Sequence, residues 1–474
     1  MSDNSNIHDF YDGEEYRDTI ATVDKDGKRI WLYPKRPKGA FYNKRIIATI
    51  VFLVLFFAGP LVKINGQPLL MMNIFDRKFV IMGQLFLPQD FVIFGLGLIT
   101  FFVFVILFSV IYGRIWCGWL CPQTVFMEMI FRPIEYWLEG DARQQKKFDE
   151  SPWNVNKLIR KGAKHLIYIL FSALIAHFTM AYLVGAEQTI DIVTHSPKEH
   201  LSGFIAILAF TAVFYFVFAK LREQVCIAIC PYGRLQGVLV NRDTMNIIYD
   251  DVRGEPRSRI TKQAATEAPK GDCIDCKLCV QVCPTGIDIR NGVQLECVNC
   301  TACIDECDTV MDKIGKPRGL IRYASVDTIE KNKPFKITKR AWGYTAVLAL
   351  LIGVEGFLIG SRSEVETTLM RVPGQLYQEQ PNNVISNLYN AQMVNKTNKE
   401  VELTVKESSG IGTIRMIDGK NIIHVKPSGR TEIVFFLEIP KSKITKHKTP
   451  LVLDIYQGTR KMESVKTNFM SPIE

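Results

Sequence analysis

Five stretches of the chain are apolar for long enough to cross a lipid bilayer, which takes roughly 17–25 residues. They fall at about 46–62, 91–111, 166–184, 201–219 and 342–359. The stretch 91–111 carries no charged side chain. Uncharged stretches of this length rarely recur in soluble domains, where they would have to be buried core helices. The sequence therefore predicts a multi-pass membrane protein built on a five-helix transmembrane bundle.

Lysine and arginine are distributed unevenly between the segments that join these spans. They are frequent before span one, between spans two and three, and before span five, and sparse in the other two loops. Basic residues favour the cytoplasmic side, which predicts a bacterial inner-membrane protein with the N-terminus and residues 220–340 inside and the tail after Ser361 in the periplasm. The formal net charge of +10 is then mainly a topology signal, and no nucleic-acid partner is expected.

The mean hydropathy of only +0.07 is an average over very different regions. We predict that the tail forms a β-sandwich, because short alternating stretches at 401–405, 422–425, 433–437 and 451–455 are separated by turn clusters; an edge-paired β-domain docked on the membrane is the alternative. The predicted parts are a cytoplasmic N-terminal arm (1–40), a transmembrane region with spans one to four (41–249), a cysteine-rich module (250–335), the fifth span (336–360) and the β-domain (361–474).

Eight of the twelve cysteines form two closely spaced runs. The spacing within each run is that of bacterial ferredoxins with two [4Fe–4S] clusters, in which the fourth cysteine of a run ligates the other cluster. Zinc modules instead separate two C-x2-C pairs by a dozen or more residues. The pattern predicts an α+β ferredoxin-like insert whose cluster A is held by Cys273, Cys276, Cys279 and Cys307, and whose cluster B is held by Cys297, Cys300, Cys303 and Cys283. Asp308 stands where the second run would usually have proline, as Pro284 follows the first.

The remaining four cysteines occur in two copies of a Cys-x3-Cys-Pro motif, Cys117 with Cys121 and Cys226 with Cys230. Each copy follows a pair of spans on the predicted inner side, which indicates an internal repeat. Cysteines four apart on a helix have Cβ atoms roughly 5–6 Å apart, farther than the roughly 3.5–4.5 Å of a disulfide. A metal ion, or a bridge between the two pairs, is therefore favoured over a bridge within one pair.

Four soft sulfur atoms at one membrane face would suit Cu(I), Zn(II) or an iron–sulfur centre. The prolines predict that Cys121 and Cys230 lie at helix breaks. We expect nearby basic residues to favour the thiolate form, namely Lys220, Arg222, Arg114 and Arg234. The alternative is that all four cysteines are inert and pack among apolar neighbours.

The sequence also lacks the common motifs that would bind a nucleotide cofactor or attach haem. No phosphate-binding loop, dinucleotide fingerprint or haem-attaching motif is evident in the sequence, so the electron donor is expected to be a cytosolic protein or membrane quinol. His165 and His177 are separated by about 18 Å along a helix, too far to share a metal, and we interpret them as ordinary hydrogen-bonding residues.

The order of these parts resembles the FixG/RdxA/CcoG family of cytochrome c oxidase accessory proteins. The resemblance covers nearly the whole chain: two membrane Cys-x3-Cys-Pro motifs, a two-cluster ferredoxin insert, one further span and a cysteine-free outer β-domain. It implies an immunoglobulin-like C-terminal domain, a cupric reductase activity, and a role in assembling the cbb-type cytochrome c oxidase with its assembly factors or subunits. It also implies that the eight cysteines named above hold the clusters and that Cys117, Cys121, Cys226 and Cys230 are the site of copper chemistry.

Three functions follow as hypotheses. The first is a membrane-bound iron–sulfur oxidoreductase that reduces Cu(II) to Cu(I) for oxidase assembly. The second is an electron-transfer subunit that oxidises membrane quinol in a respiratory chain. The third is a non-enzymatic assembly scaffold or redox sensor whose β-domain binds a partner.

Overall fold

The computed structural model describes residues 22, 26, 28–64, 66–86, 90–258, 271–331 and 336–472, apart from the single positions 375, 382, 398, 420 and 428. Residues 1–21 of the predicted N-terminal arm lie outside the described residues, as do residues 259–270 and 332–335 of the predicted cysteine-rich module.

Five helices in the described part of the chain are long and apolar enough to cross a membrane, which confirms the predicted number of spans. Their side chains are largely exposed rather than buried within the protein, as expected for surfaces that face lipid. The helices are Ala40–Ala58, Phe91–Tyr112, Val155–Val184, Leu201–Leu221 and Lys339–Gly360.

The limits of the first span differ from the prediction of 46–62. The helix ends at Ala58 because Gly59 and Pro60 follow, and proline neither donates the next helical hydrogen bond nor fits within the preceding turn. It begins six residues earlier than predicted, at Ala40.

The third span also begins earlier, at Val155 rather than at 166. Asn154 caps this helix by accepting a hydrogen bond from the main-chain N–H of Lys157 at 2.7 Å. The added turns carry four basic residues that a search for apolar segments passes over. All four find partners. Lys157 donates to the carbonyl of Asp149 at 2.9 Å, Arg160 donates to Oδ1 of Asn156 at 3.1 Å, Lys161 pairs with Asp149, and Lys164 pairs with Glu139 at 2.8 Å.

The chain divides into two compact units. The first comprises 1–58, 97–181 and 185–352, and the second comprises 59–96, 182–184 and 353–474. All twelve cysteines fall in the first unit.

The cysteine-rich region of the first unit is a small α+β fold. Strand Asn246–Tyr249 pairs antiparallel with Ile321–Ala324. Helix Leu278–Gln281 contains Cys279 of the first cysteine run, and helix Ala302–Lys313 contains Cys303 and Cys307 of the second. A 3₁₀ turn, Ile289–Asn291, lies between them. Buried aliphatic residues surround the cysteines, among them Ile247, Val282, Ile287, Val298, Ile304 and Met311.

Short helices connect the spans to one another and to this region. Both Cys-Pro steps break a helix as predicted, because Cys121 and Cys230 are extended and Pro122 and Pro231 each begin a new helix. Five of the short helices lie between spans two and three: Ile115–Trp119, Pro122–Phe126, Met127–Phe131, Arg132–Leu138 and Ala142–Glu150. The others are Ala186–Thr194, Val225–Ile229, Pro231–Leu239, Asp251–Gly254 and Val326–Glu330.

The tail in the second unit is an all-antiparallel β-sandwich, as predicted. One sheet orders its strands as Thr413–Met416, Arg430–Pro440, Val384–Asn395 and Val365–Arg371, with Gln378–Gln380 also paired to Val384–Asn395. The other orders them as Ile423–Val425, Val401–Glu407, Lys448–Gln457 and Arg460–Met470. Residues from both sheets, including Tyr389, Phe435, Leu403 and Leu453, share one buried core.

The second unit also contains strands that the sequence analysis did not predict, in the segment between spans one and two. Leu70–Asn73, Lys78–Ile81 and Gln84–Phe86 form a three-stranded antiparallel sheet, and Lys63–Ile64 pairs with Gln67–Pro68. These strands are only two to four residues long, too short for a period-2 pattern to be recognised.

Candidate metal centres

Four cysteines line one cavity of about 370 Å³ in the first unit: Cys273, Cys276, Cys279 and Cys307. Three come from the first run, and the fourth comes from the second run, on helix Ala302–Lys313. This is the set predicted for cluster A, with the last cysteine crossing over from the other run.

A second cavity, of about 330 Å³, is lined by the other four: Cys283, Cys297, Cys300 and Cys303. Here the crossing residue is Cys283, the last cysteine of the first run. Cys279 borders this cavity as well as the first, so the two cavities are neighbours. The assignment of individual cysteines as ligands stays a prediction, and the cavity linings support it.

The two cysteine loops share an unusual backbone shape. Asp275 and Lys277 flank Cys276 with φ of 51° and 58°, and Asn299 and Thr301 flank Cys300 with φ of 54° and 67°. Left-handed conformations are uncommon for residues other than glycine. Alternation between left- and right-handed residues turns successive N–H groups toward one side of the chain, as in the anion-binding concavities of many iron–sulfur sites.

These features fit a pair of [4Fe–4S] clusters better than single metal ions. No three of the eight sulfur atoms, all within the described residues, lie within 4.8 Å of one another, so the thiols surround spaces wider than one ion needs. The donor set is purely cysteine, which is the ligand set of such clusters. When bound, the two clusters supply and accept single electrons.

Burial keeps the free thiols of the second cysteine run protonated. It raises the pKa of Cys297 to about 12 and that of Cys300 to about 11, despite main-chain N–H groups and Arg45 that act in the opposite direction. A coordinating metal deprotonates a thiol outright, so iron has to displace these protons as each cluster is inserted.

Asp308, which replaces the second proline, has a structural role. Helix Ala302–Lys313 continues through this position, which a proline would disturb. The Asp308 carboxylate accepts a hydrogen bond from the main-chain N–H of Gly319 at 2.9 Å. The aspartate therefore anchors the chain that returns toward strand Ile321–Ala324.

The structure brings the four membrane-face cysteines together. Cys117 interacts electrostatically with Cys121 and Cys230, and Cys226 interacts with all three of the others. No three of their sulfur atoms lie within 4.8 Å of one another. The four thiols are therefore grouped together, but their sulfur atoms have to move closer to one another to coordinate one ion.

We expected nearby basic residues to favour thiolates at this site, but their effect does not overcome that of burial. Burial raises the pKa of Cys117 and of Cys226 to about 12. Arg114 lowers the pKa of Cys117, but by less than burial raises it. Arg222 is engaged elsewhere, since its guanidinium donates to Glu135 at 2.9 and 3.2 Å.

The Cys117–Cys121 segment lies directly on the loop of the second cysteine run. A Cβ placed on Gly118 would be 2.5 Å from the carbonyl oxygen of Val298 and 2.7 Å from that of Asn299. Arg45, which is buried, fixes the opposite side by donating from Nε to the carbonyl of Gly118 at 2.7 Å.

The second motif reaches the same loop. Cys226 lines a small cavity together with Pro284, Thr285 and Val298, and Pro284 directly follows Cys283, the predicted crossing ligand. Cys117 and Cys226 also contact the buried apolar core that surrounds the eight predicted cluster ligands. The two thiol motifs and the predicted cluster B loop therefore form one continuous packed region.

Several residues of this region were missed by the sequence analysis. Gln236 accepts a weak hydrogen bond from the Cys117 thiol at 3.7 Å, and Thr124 lies 3.9 Å from the Cys226 sulfur. Gly118, Arg45 and Gln236 belong to no local sequence motif, so only the long-range fold identifies them.

His165 and His177 have ordinary hydrogen-bond partners. His165 bonds Tyr215 at 3.0 Å, and His177 bonds the carbonyl of Ala173 at 2.6 Å.

Five spans, two adjacent cysteine-lined cavities and a β-sandwich define a membrane iron–sulfur oxidoreductase. Models of known families match in the same three regions. A 4Fe-4S binding domain matches 94–142, a 4Fe-4S dicluster domain matches 221–326, and the IG-like fold at the C-terminal of FixG matches 356–472.

The chain belongs to the FixG/RdxA family. It is 31% identical to protein RdxB of Cereibacter sphaeroides over 83% of this chain and 85% of that protein. It is 32% identical to RdxA of the same organism over 80% of this chain and 83% of that protein. Nitrogen fixation protein FixG of Rhizobium meliloti is 32% identical over 64% of this chain, and the match spans 59% of the length of FixG.

Proposed function

We propose that the four membrane-face thiols are the place where Cu(II) is reduced to Cu(I), with electrons drawn from the cluster region, and that the Cu(I) serves assembly of a cbb-type cytochrome c oxidase. The observation that carries the proposal is the direct packing of Gly118 against the carbonyl groups of Val298 and Asn299. It brings the first thiol motif against the second cysteine run without an intervening layer of side chains.

The chemistry of the site suits a change of copper oxidation state. Cu(II) accepts one electron to become Cu(I), and thiolate sulfur is a soft ligand that favours the product. Desolvation raises the pKa of Cys117 and Cys226, so binding of a copper ion releases protons from these thiols. Copper is substrate and cargo in this scheme, and it leaves for a recipient.

The scheme also needs a direction across the membrane. We propose that the N-terminus and the clusters face the cytoplasm and that the β-domain is periplasmic, on the strength of the alternating lysine and arginine content of the loops. Electrons then enter from a cytosolic protein or from quinol, and the β-domain is free to contact oxidase assembly factors or subunits.

The test uses full-length protein that is purified without oxygen in detergent, reduced chemically, freed of excess reductant and then mixed with Cu(II). Formation of Cu(I) is followed with a Cu(I)-specific chelator, and retained copper is measured by metal analysis. Replacing Cys226 and Cys230 by serine should abolish both copper reduction and copper retention, while the iron content stays unchanged. Unchanged copper reduction in that variant would overturn the proposal.

A second variant separates binding from reduction. Cys273→Ser with Cys276→Ser removes two predicted ligands of cluster A and leaves the membrane-face thiols intact. We expect this variant to retain copper but to reduce it far more slowly. Equal loss of copper retention in both variants would indicate general misfolding, so retention by the cluster variant is the internal control.

A further inference from the structure

Two histidines and an aspartate converge at the junction of helices Ala186–Thr194 and Leu201–Phe216. The Asp191 carboxylate faces both rings, with Oδ1 at 2.9 Å from Nδ1 of His195 and Oδ2 at 3.2 Å from Nε2 of His200. One ligand atom from each of the three residues lies within 4.8 Å of the others. Among the described residues, no other group of cysteine, histidine, aspartate and glutamate ligands meets this spacing.

The local fold explains why these side chains meet. Asp191 and His195 are four residues apart, so they lie on one face at the C-terminal end of the first helix. A turn closed by the N–H of Glu199 donating to the carbonyl of Ser196 at 2.9 Å follows. His200 then caps the second helix, where its carbonyl accepts from the N–H of Phe204 at 3.0 Å.

Close packing of the two helices holds this arrangement. A Cβ on Gly203 would lie 2.7 Å from Cδ1 of Ile192, which is itself buried. Gly203 therefore lets the second helix approach the first, and His200 is carried three residues ahead of that contact to the Asp191 carboxylate. The ligand atoms are thus positioned by helix packing, while the side chains remain open to solvent at 38–53% exposure.

We propose that Asp191, His195 and His200 form a binding site for a borderline divalent transition-metal ion, which by its ligand chemistry takes Cu(II) most tightly. Two imidazoles and a carboxylate are nitrogen and oxygen donors suited to such ions, and affinity at such donors rises toward Cu(II). The soft sulfur of the four thiols suits Cu(I) instead. Three protein ligands and an exposed position leave room for water or an exchanging partner to complete the coordination.

The site lies at the membrane face opposite to the thiols. Cys121 precedes the third membrane helix, Val155–Val184, and Asp191 follows it, so one crossing of the bilayer separates the two. The inference does not depend on the proposed function, because the ligand set and its spacing are independent of any copper reduction at Cys117, Cys121, Cys226 and Cys230.

The test is a Cu(II) titration of full-length protein in detergent, with those four cysteines replaced by serine and the clusters oxidised. Electron paramagnetic resonance should show one tightly bound Cu(II) per chain with couplings to imidazole nitrogen. Because loss of even an outer-shell partner costs 10–100-fold in metal affinity, His195→Ala, His200→Ala and Asp191→Asn should each weaken binding by at least about tenfold, and each histidine variant should lose one imidazole coupling.

A matched control comes from the β-domain. His424 is 57% exposed and lies 3.6 and 3.7 Å from Glu400 and Glu402, so His424→Ala removes another exposed histidine beside carboxylates and should leave the tight Cu(II) signal unchanged. Unchanged iron content would show that each variant is folded. A first Cu(II) equivalent without imidazole coupling, or one that none of the three substitutions weakens, would overturn the proposal and leave the three residues as a simple group of neighbouring polar side chains.

Discussion

Gly118 lies so close to Val298 that a single added carbon would stand 2.5 Å from the Val298 carbonyl oxygen. The two residues are far apart in the sequence, one beside the first membrane-face thiol and the other between two predicted cluster ligands. Their contact joins the thiol motif to the second cysteine run through main chain alone.

The first prediction is that Gly118→Ala slows copper reduction while leaving cluster content intact. The new methyl group meets carbonyl groups that cannot rotate away, so the segment has to move off the cluster loop. Since small misplacements at a reacting site carry large kinetic costs, the rate of Cu(I) formation should fall by about tenfold or more. Gly162→Ala, where a Cβ meets nothing within 4 Å, is the control and should behave like the wild type.

The second prediction concerns crossed ligation of the clusters. If Cys283 completes the set of Cys297, Cys300 and Cys303, then the Cys283→Ser/Cys303→Ser variant loses ligands from one cluster only. It should keep one cluster's iron and one reduced-cluster signal in electron paramagnetic resonance. The Cys303→Ser/Cys307→Ser variant removes a ligand from each cluster and should disturb both signals. The reverse outcome, with one intact cluster in the second variant only, would refute the crossed assignment.

The third prediction concerns a buried ion pair on the thiol side of the first unit. Glu135 accepts two hydrogen bonds from Arg222, and both side chains are about 95% buried or more. Glu135→Gln removes the closer of the two carboxylates beside that guanidinium, the other being Glu223 at 3.6 Å, and breaking a buried ion pair typically costs about 3–5 kcal/mol. Thermal unfolding in detergent should therefore occur at a clearly lower temperature than in the wild type.

The matched control for that variant is Glu150→Gln. Glu150 is 67% exposed and lies 4.0 Å from Lys146, and exposed pairs of this kind contribute only about 0–1 kcal/mol. The two variants make the same chemical change in different surroundings. An equal effect on unfolding temperature would contradict the role assigned to burial.

The fourth prediction is the pH dependence of the same pair. Burial alone would raise the pKa of Glu135, but Arg222, Lys164 and Arg132 outweigh it and hold that pKa below its ordinary value. A carboxyl whose pKa is lower in the folded state contributes stability above its unfolded value of about 4.3 and loses that contribution as the pH falls through the folded value. The difference in unfolding temperature between wild type and Glu135→Gln should be full at pH 7 and shrink below about pH 4. A difference that grows on acidification would contradict the assignment.

The sequence was sufficient where a pattern is local. Five spans follow from apolar length, the β-sandwich from short alternating stretches, and the helix breaks at Cys121 and Cys230 from the prolines that follow them. Strand Val384–Asn395 escaped prediction because buried polar residues interrupt its alternation. Both asparagines are buried with a hydrogen-bond partner. The side chain of Asn387 donates to the carbonyl of Met470 at 2.8 Å, and the side chain of Asn395 donates to the carbonyl of Lys399 at 2.7 Å.

Contacts between residues that are distant in the sequence determine the features that could not be predicted. Arg222 is close to Cys226 in the sequence and was expected to favour a thiolate, but it pairs with Glu135, which lies 87 positions earlier. The sequence does not reveal that position 118 must be glycine, because the loop that packs against it is distant in the sequence. The cluster ligands could be predicted from the sequence because their spacing is a local property of two short loops.

The most direct test of the central claim is the rate at which reduced clusters are reoxidised by Cu(II). Full-length protein is reduced with dithionite, freed of excess reductant and mixed anaerobically with two equivalents of Cu(II), one for each reduced cluster, and the cluster absorbance is followed by stopped flow. We predict rapid recovery of the oxidised spectrum in the wild type and recovery slower by at least about tenfold, at equal iron content, in Cys226→Ser/Cys230→Ser. Equally fast recovery in both proteins would show that electrons reach copper without these thiols and would contradict the account.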